Sequence, residues 1–312
     1  MAKILITGGA GFIGSNIAEA LHEKHEILVI DDLSTSGSLS REYVKNLASE
    51  GKIKFEEGSI NDIKLLSRLL NDVDFVLHQA AIPSVPRSVK DPIASNSANV
   101  GGSLTLLKAC VDSGVEKLVA ASSSSVYGDT PTLPKVETMQ PHPLSPYAIS
   151  KFAMEHYLRV FNELYGIQTL TLRYFNVFGP RQNPHSEYAA VIPKFIKAAK
   201  EEKPLVIYGD GTQTRDFSYV KDVVAANMKA AESKKNGIFN IAGGNRITIK
   251  ELAEAIIKTL DSKSEIEYMD SRAGDVKHSL ADVSKARTEL NWSPEYSLQD
   301  GLEDYLSYSN LF

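Results

Sequence analysis

Thr7-Gly8-Gly9-Ala10-Gly11-Phe12-Ile13-Gly14 is the stretch that decides the fold of this chain. An apolar run, Lys3 to Thr7, precedes it and reads as a buried strand. Phe12 to Lys24 follows as a helical pattern with Ile13, Ile17, Ala20 and Leu21 on one face. The glycines satisfy G-x-G-x-x-G as Gly9, Gly11 and Gly14, and a looser G-x-x-G-x-x-G as Gly8, Gly11 and Gly14. Only glycine lets the backbone turn this sharply and approach a pyrophosphate without a Cβ clash, and the helix N-terminus then offers free N–H groups. A tight turn with no ligand can carry the same glycines. The strand before and the helix after, at the start of a sheet, favour a dinucleotide. Asp31 lies 20 residues past Gly11, at the end of the second strand, where a carboxylate accepts hydrogen bonds from an adenosine ribose. Asp32 shares that work or begins the turn. Together they favour NAD over NADP. Gly9-x4-Gly14-Ser15 has phosphate-loop spacing without the lysine, so an NTPase reading fails.

Outward from the turn, short β-branched runs alternate with longer amphipathic segments. Ile27–Ile30, Lys52–Phe55, Phe75–His78, Lys117–Ala121 and Gln168–Arg173 read as strands, with helical patterns over 62–71, 95–113 and 147–165. This alternation predicts an α/β fold with a doubly wound, mostly parallel sheet over residues 1–175. Beyond Arg173, proline and glycine punctuate the chain, and helices are expected over 188–202, 219–233, 248–260 and 283–290. Residues 176–312 read mainly as a smaller C-terminal α/β domain that binds substrate, packed on the open sheet edge. A segment near 219–245 is expected to return to the first domain through the apolar run Phe239–Ala242.

The 312 residues suggest two domains at about 150 residues each. With 34 basic and 39 acidic side chains the net charge is −5, no footprint for a phosphate backbone, so nucleic acid is not an expected partner. The single cysteine, Cys110, fits a reducing compartment. No run of about 18 apolar residues predicts a membrane span. The N-terminus lacks a signal-peptide pattern, so a cytoplasmic protein is expected. No metal site is expected: the seven histidines form no H-E-x-x-H, and one cysteine suggests no zinc centre. There is no G-x-S-x-G elbow, and His78, ending an apolar strand, reads as a core residue.

Tyr147-Ala148-Ile149-Ser150-Lys151 puts a phenol and an ammonium on one helix face. The pattern is cheap among 13 tyrosines, yet it occurs once here, and it follows Ser122-Ser123-Ser124-Ser125 at a strand end that faces the ligand crevice. A phenol with a pKa of about 10 is a poor base at neutral pH, and a lysine with a nicotinamide cation would lower that pKa. A serine hydroxyl nearby could hold the substrate oxygen.

These residues carry a resemblance. In order and spacing, Thr7–Gly14, His78-Gln79-Ala80-Ala81, Asn99, Ser122–Gly128, Ser145-Pro146-Tyr147, Lys151 and Arg173-Tyr174-Phe175-Asn176 resemble the extended short-chain dehydrogenase/reductases, and within them the UDP-hexose and UDP-N-acetylhexosamine 4-epimerases. The match continues through Arg215-Asp216-Phe217, Asn240-Ile241-Ala242 and Gly274-Asp275-Val276. The resemblance implies a Rossmann domain and an NAD-dependent isomerase with Tyr147 as base, Lys151 on the nicotinamide ribose and Ser123 on the sugar 4-hydroxyl. It implies NAD contacts from Gly8, Gly11, Phe12, Ile13, Gly14, Asp31, Asp32, Ser59, Ile60, Ala80, Ala81, Asn99 and Tyr174. It implies UDP-sugar contacts from Ser84, Ser124, Asn176, Ala190, Val191, Arg215, Arg272, Asp275 and Ser279. Where the family commonly has aspartate on the adenine, this chain has Ser59, which implies weaker adenine recognition.

The implied cycle is redox-neutral. Tyr147 takes the 4-hydroxyl proton as hydride leaves C4 for NAD⁺; the 4-keto sugar turns over and takes the hydride back on its other face, so tight NAD retention is expected. Related dehydratases carry Asp-Glu just after the catalytic Ser/Thr; here Ser124 and Ser125 stand there and cannot do that chemistry. Ala80–Ser88 and Gly274–Leu280 resemble the enzymes that handle N-acetylhexosamines, in which a small residue at the Ser279 position leaves room for a 2-acetamido group. UDP-GlcNAc and UDP-GalNAc are therefore expected, beside UDP-Glc and UDP-Gal. The alternatives are a UDP-glucuronate 4-epimerase or decarboxylase, with Arg87 as the carboxylate clamp, and an NAD-binding regulatory protein without turnover. The resemblance also implies a homodimer, paired through segments 95–113 and 150–165.

Overall fold

The computed structural model describes residues 1–184, 190–270 and 276–308. Seven parallel strands make the central sheet: β1 (Lys3–Thr7), β2 (Glu26–Asp31), β3 (Lys54–Glu57), β4 (Phe75–His78), β5 (Lys117–Ser123), β6 (Gln168–Tyr174) and β7 (Gly237–Ile241). Their order across the sheet is β7-β6-β5-β4-β1-β2-β3. The chain therefore reverses direction between β1 and β4, the place where a crevice opens outside the carboxyl ends of the strands.

Alternation along each strand feeds both faces. Ile4 and Ile6 enter one apolar cluster with Ile17, Val29 and Leu170, whereas Leu5 enters the opposite cluster with Leu28, Leu66 and Leu118. A third cluster comes from later residues, among them Phe178, Phe195, Ile207, Leu252, Leu302 and Tyr305.

The helix Pro146–Tyr165 has a start and a stop written in its sequence. Ser145 Oγ accepts from Ala148 N at 3.1 Å, Pro146 sits in the first turn, and Gly166 ends it with φ of +75°. Other elements depart from expectation. The strand expected over Lys52–Phe55 begins at Lys54, because Lys52 N instead closes the preceding helix on Leu47 O. The helix expected over 95–113 is a π-helical turn, Ser97–Gly102, followed by the α-helix Ser103–Ser113. The helix expected over 12–24 stops at Leu21. The helices Ser38–Ser49 and Leu298–Ser307 were not expected; each buries a narrow stripe, such as Ser40, Val44 and Leu47. No helix among the described residues is long and apolar enough to cross a membrane.

Candidate active site

The glycine turn lies against the end of β4. Gly8 has φ of +68°, and a Cβ there would fall 2.6 Å from Ala80 Cα. A Cβ on Gly14 would fall 2.3 Å from Gly8 O, so the helix starts pressed against its own turn. Gly11 caps the helix Phe12–Leu21 without a side-chain hydrogen bond, which leaves the first-turn N–H groups for an anion. These residues fit the pyrophosphate of a dinucleotide.

A cavity of about 300 Å³ runs along the turn. Of the expected cofactor residues it is lined by Gly8, Gly11, Phe12, Ile13, Gly14, Asp31, Asp32, Ser59, Ile60, Ala80, Ala81, Tyr147, Lys151 and Tyr174. Asp31 accepts from Ala10 N at 3.0 Å and Leu33 N at 2.8 Å, so it also ties the turn to the end of β2. Burial raises its carboxyl above the ordinary range against those two N–H groups. Asp32 accepts from Ser34 N at 2.9 Å.

Asn99 is placed differently. It is fully buried, accepts from Ile82 N at 2.8 Å and donates to Ser150 Oγ at 3.0 Å. From the π-helical turn it braces the Ala80–Ile82 loop against the tyrosine helix, and it does not line the cavity. Tyr174 lines the cavity while its hydroxyl joins Gln79 at 3.3 Å and Asn227 at 2.8 Å. His78 is the core residue expected, held between Thr7 Oγ1 at 2.7 Å and Ser103 Oγ at 2.8 Å. Burial, and then the Lys151 charge, push its pKa down to about 3.

At the end of β5, the Ser123 hydroxyl accepts from Ser125 N at 3.2 Å and lies beside the Tyr147 phenol. Burial raises the phenol's pKa, and the neighbouring Ser123 hydroxyl opposes the rise. Lys151, 3% exposed, donates to Ala121 O at 2.9 Å; burial pulls its pKa down to about 8 against the Glu155 charge. Burial thus disfavours both charged forms, the phenolate and the ammonium, and the pair needs a further positive charge nearby before Tyr147 can act as a base at neutral pH.

A second cavity, of about 260 Å³, is lined by Asn176, Ala190, Val191 and Arg215 among the expected substrate residues. Only Phe175 separates Tyr174 of the first cavity from Asn176 of the second. Asn176 donates to Asp216 O at 2.8 Å, and Arg215 donates to Thr214 O at 2.9 Å. Asp216 is buried and accepts from Gly244 N and Ala281 N, each at 3.1 Å, so it joins three segments beneath Arg215. Ser279 lies on one of them, donating its N–H to Thr214 O at 3.1 Å. It lines neither cavity, nor do Ser84 and Ser124. Ser84 caps the helix Val85–Lys90 with φ of +102°, and Ser124 opens a 3₁₀ turn after Ser123. Arg272 and Asp275 lie outside the described residues. Sequence reasoning missed Arg181 and Asn183 in the first cavity and Phe178, Phe195 and Phe217 in the second. Phe217 carried a signal, since it follows Arg215-Asp216 directly.

Residues 4–242 match the model of the NAD dependent epimerase/dehydratase family. The chain belongs to that family. Within this epimerase/dehydratase family, it is 41% identical to a UDP-N-acetylglucosamine 4-epimerase from Methanobrevibacter ruminantium, solved with UDP-N-acetylmuramic acid, with a TM-score of 0.94 over 99% of this chain and 98% of that one. A UDP-glucuronic acid 4-epimerase from Bacillus cereus, solved with UDP-glucuronic acid and NAD, is 37% identical, with a TM-score of 0.91 over 99% and 100% of the two chains. A UDP-glucose 4-epimerase from Mycolicibacterium smegmatis is 36% identical over 96% of each chain. The family's NAD is the cofactor that the glycine cradle and the Asp31 end of the cleft fit.

Proposed function

We propose that this chain interconverts UDP-sugars at C4, with UDP-GlcNAc and UDP-GalNAc among its substrates. The observation that carries the reading is that Tyr147 and Lys151 line the same cavity as the glycine turn, with Ser123 beside the phenol at the end of β5. Tyr147 takes the proton of the sugar 4-hydroxyl and Ser123 holds that oxygen in place. Lys151 holds the nicotinamide ribose, and its charge stabilises the phenolate. Bound NAD supplies a hydride acceptor and a positive field that draws the phenol's pKa down. Asn176 and Arg215, in the second cavity, hold the UDP, with Arg272 and Asp275 expected to join them. A guanidinium suits a diphosphate because two N–H groups can meet two oxygens. Grip on the nucleotide supplies binding energy while the sugar stays free to turn over.

The acetamido preference rests on Ser279, a small side chain on the segment laid beside Arg215. The test is to incubate the purified protein with each UDP-sugar, uronate included, without added NAD, and to follow C4 inversion. N-acetyl sugars are expected to turn over, Ser279→Tyr to suppress them selectively, and Tyr147→Phe to lower kcat about 10²–10⁴-fold. Turnover confined to UDP-glucuronate would transfer the assignment to the uronate reading. Wild-type turnover in Tyr147→Phe would end the tyrosine mechanism.

We also propose a homodimer. Val89 and Ile93 are 65% and 81% exposed on the helices Val85–Lys90 and Pro92–Asn96. Ile149, Leu164 and Tyr165 are exposed on the tyrosine helix that packs beside them. The outer face of Ser103–Ser113 instead carries the Lys108–Asp112 ion pair. The apolar face is therefore displaced from the 95–113 segment toward 85–96.

A further inference from the structure

We propose that Arg181 is a positioning residue for the cofactor: it fastens the segment Gly179–Asn183 as a strap along the dinucleotide cleft, and NAD retention depends on that fastening. The inference rests on the cofactor cleft, not on the identity of the sugar.

Arg181 holds φ of +68°, a left-handed conformation that costs a non-glycine residue free energy, and its side chain is 3% exposed. Its guanidinium is engaged on three sides. Nε donates to Ser15 Oγ at 3.1 Å, Nη2 donates to Glu19 Oε2 at 2.6 Å, and the guanidinium carbon lies 4.2 Å from the centroid of the Tyr43 ring. Tyr43 donates in turn to Glu19 Oε1 at 2.8 Å. One residue earlier, Pro180 O accepts from Asn16 Nδ2 at 3.1 Å. Two residues later, Asn183 packs so near Gly37 that a Cβ there would lie 3.2 Å from its own Cβ.

Ser15, Asn16 and Glu19 belong to the helix that the glycine turn opens; Tyr43 belongs to the helix after β2, which Gly37 caps. These two helices border the Asp31–Asp32 end of the cavity. Arg181 and Asn183 line the same cavity, about 165 residues away along the chain. A dinucleotide lying on the glycine turn therefore has one wall built by a remote segment. That wall is held by a charge-assisted, stacked guanidinium that the proton and hydride steps do not use. A cofactor that is regenerated at every turnover needs such a wall more than one that is exchanged.

A purely structural staple would also lower stability, so the test reads NAD release directly. Holoenzyme of the wild type, Arg181→Ala and Glu19→Gln is diluted, released NAD is trapped by a coupled dehydrogenase, and UDP affinity and the thermal midpoint with saturating NAD are measured alongside. Arg181→Ala is expected to release NAD at least tenfold faster and Glu19→Gln severalfold faster, with UDP affinity within twofold of wild type. Glu19→Gln keeps the side-chain shape on a partly exposed residue, so it carries the test should Arg181→Ala not fold. Wild-type release rates in the folded variants overturn the proposal. So does a loss of UDP affinity equal to the loss of NAD, because that marks general loosening.

Discussion

Lys151 sits where burial opposes the charge that its role requires. Its folded pKa, about 8, lies below its ordinary value, so the unfolded chain binds this proton more tightly than the folded one. The destabilisation is complete below pH 8 and is relieved as pH rises from 8 toward 10.5. Lys151→Met should therefore abolish turnover yet raise stability at pH 7 by about 1–3 kcal/mol, after allowance for the lost bond to Ala121 O. Denaturant unfolding across pH checks it: the advantage should shrink between pH 8 and 10.5, and a variant less stable at every pH contradicts it. The Tyr147–Lys151 pair was legible in the sequence because helical spacing fixes a shared face. Arg181 was not, because its meaning lies in Ser15, Glu19 and Tyr43, which no local pattern links to it. Asn99 was picked out by the resemblance alone, because its bonds to Ile82 and Ser150 join segments that no local pattern links.

Two turns below Tyr147 on its helix, Glu155 joins the helix to two strands. It accepts from Ser122 Oγ at 2.5 Å and from Arg173 Nε and Nη2 at 2.9 and 2.6 Å, with both side chains of the ion pair 1% exposed. Glu155→Gln leaves a buried guanidinium without its counter-charge and should cost about 3–5 kcal/mol of unfolding free energy. Glu155→Met with Arg173→Met should recover most of that loss, because an apolar pair needs no desolvation of charge. Equal losses in the single and double variants would contradict this account. The same contact explains a boundary error: serines suggest a turn after Ala121, but Ser122 and Ser123 continue the ladder opposite Arg173 and Tyr174. Capped helices with wide apolar faces were readable. Ser38–Ser49 was not, since its mean character is polar and only a thin stripe is buried.

At the scale of the whole molecule, the alternation of strand and helix carried the architecture, because a parallel sheet buried on both faces demands near-continuous apolar strands. The small two-stranded pairs, such as Thr214–Asp216 with Arg246–Thr248, escaped because three residues hold no period. The apolar face of Val89, Ile93 and Ile149 belongs to this scale too. Ile93→Asp with Ile149→Asp should halve the mass measured by light scattering if a second copy covers that face, and a wild type already at monomer mass would refute the pairing.

The position of β7 bears on how the chain is made. This strand, Gly237–Ile241, pairs with β6 across an excursion of more than sixty residues that builds much of the third apolar cluster. During synthesis the N-terminal strands leave the ribosome long before the strand that covers their outer edge. Until then β6 presents unpaired N–H and C=O groups, the condition in which nascent sheets recruit wrong partners. Pauses in translation between residues 175 and 237 would lengthen that exposure, making this interval the one in which yield depends most on elongation rate and chaperone supply.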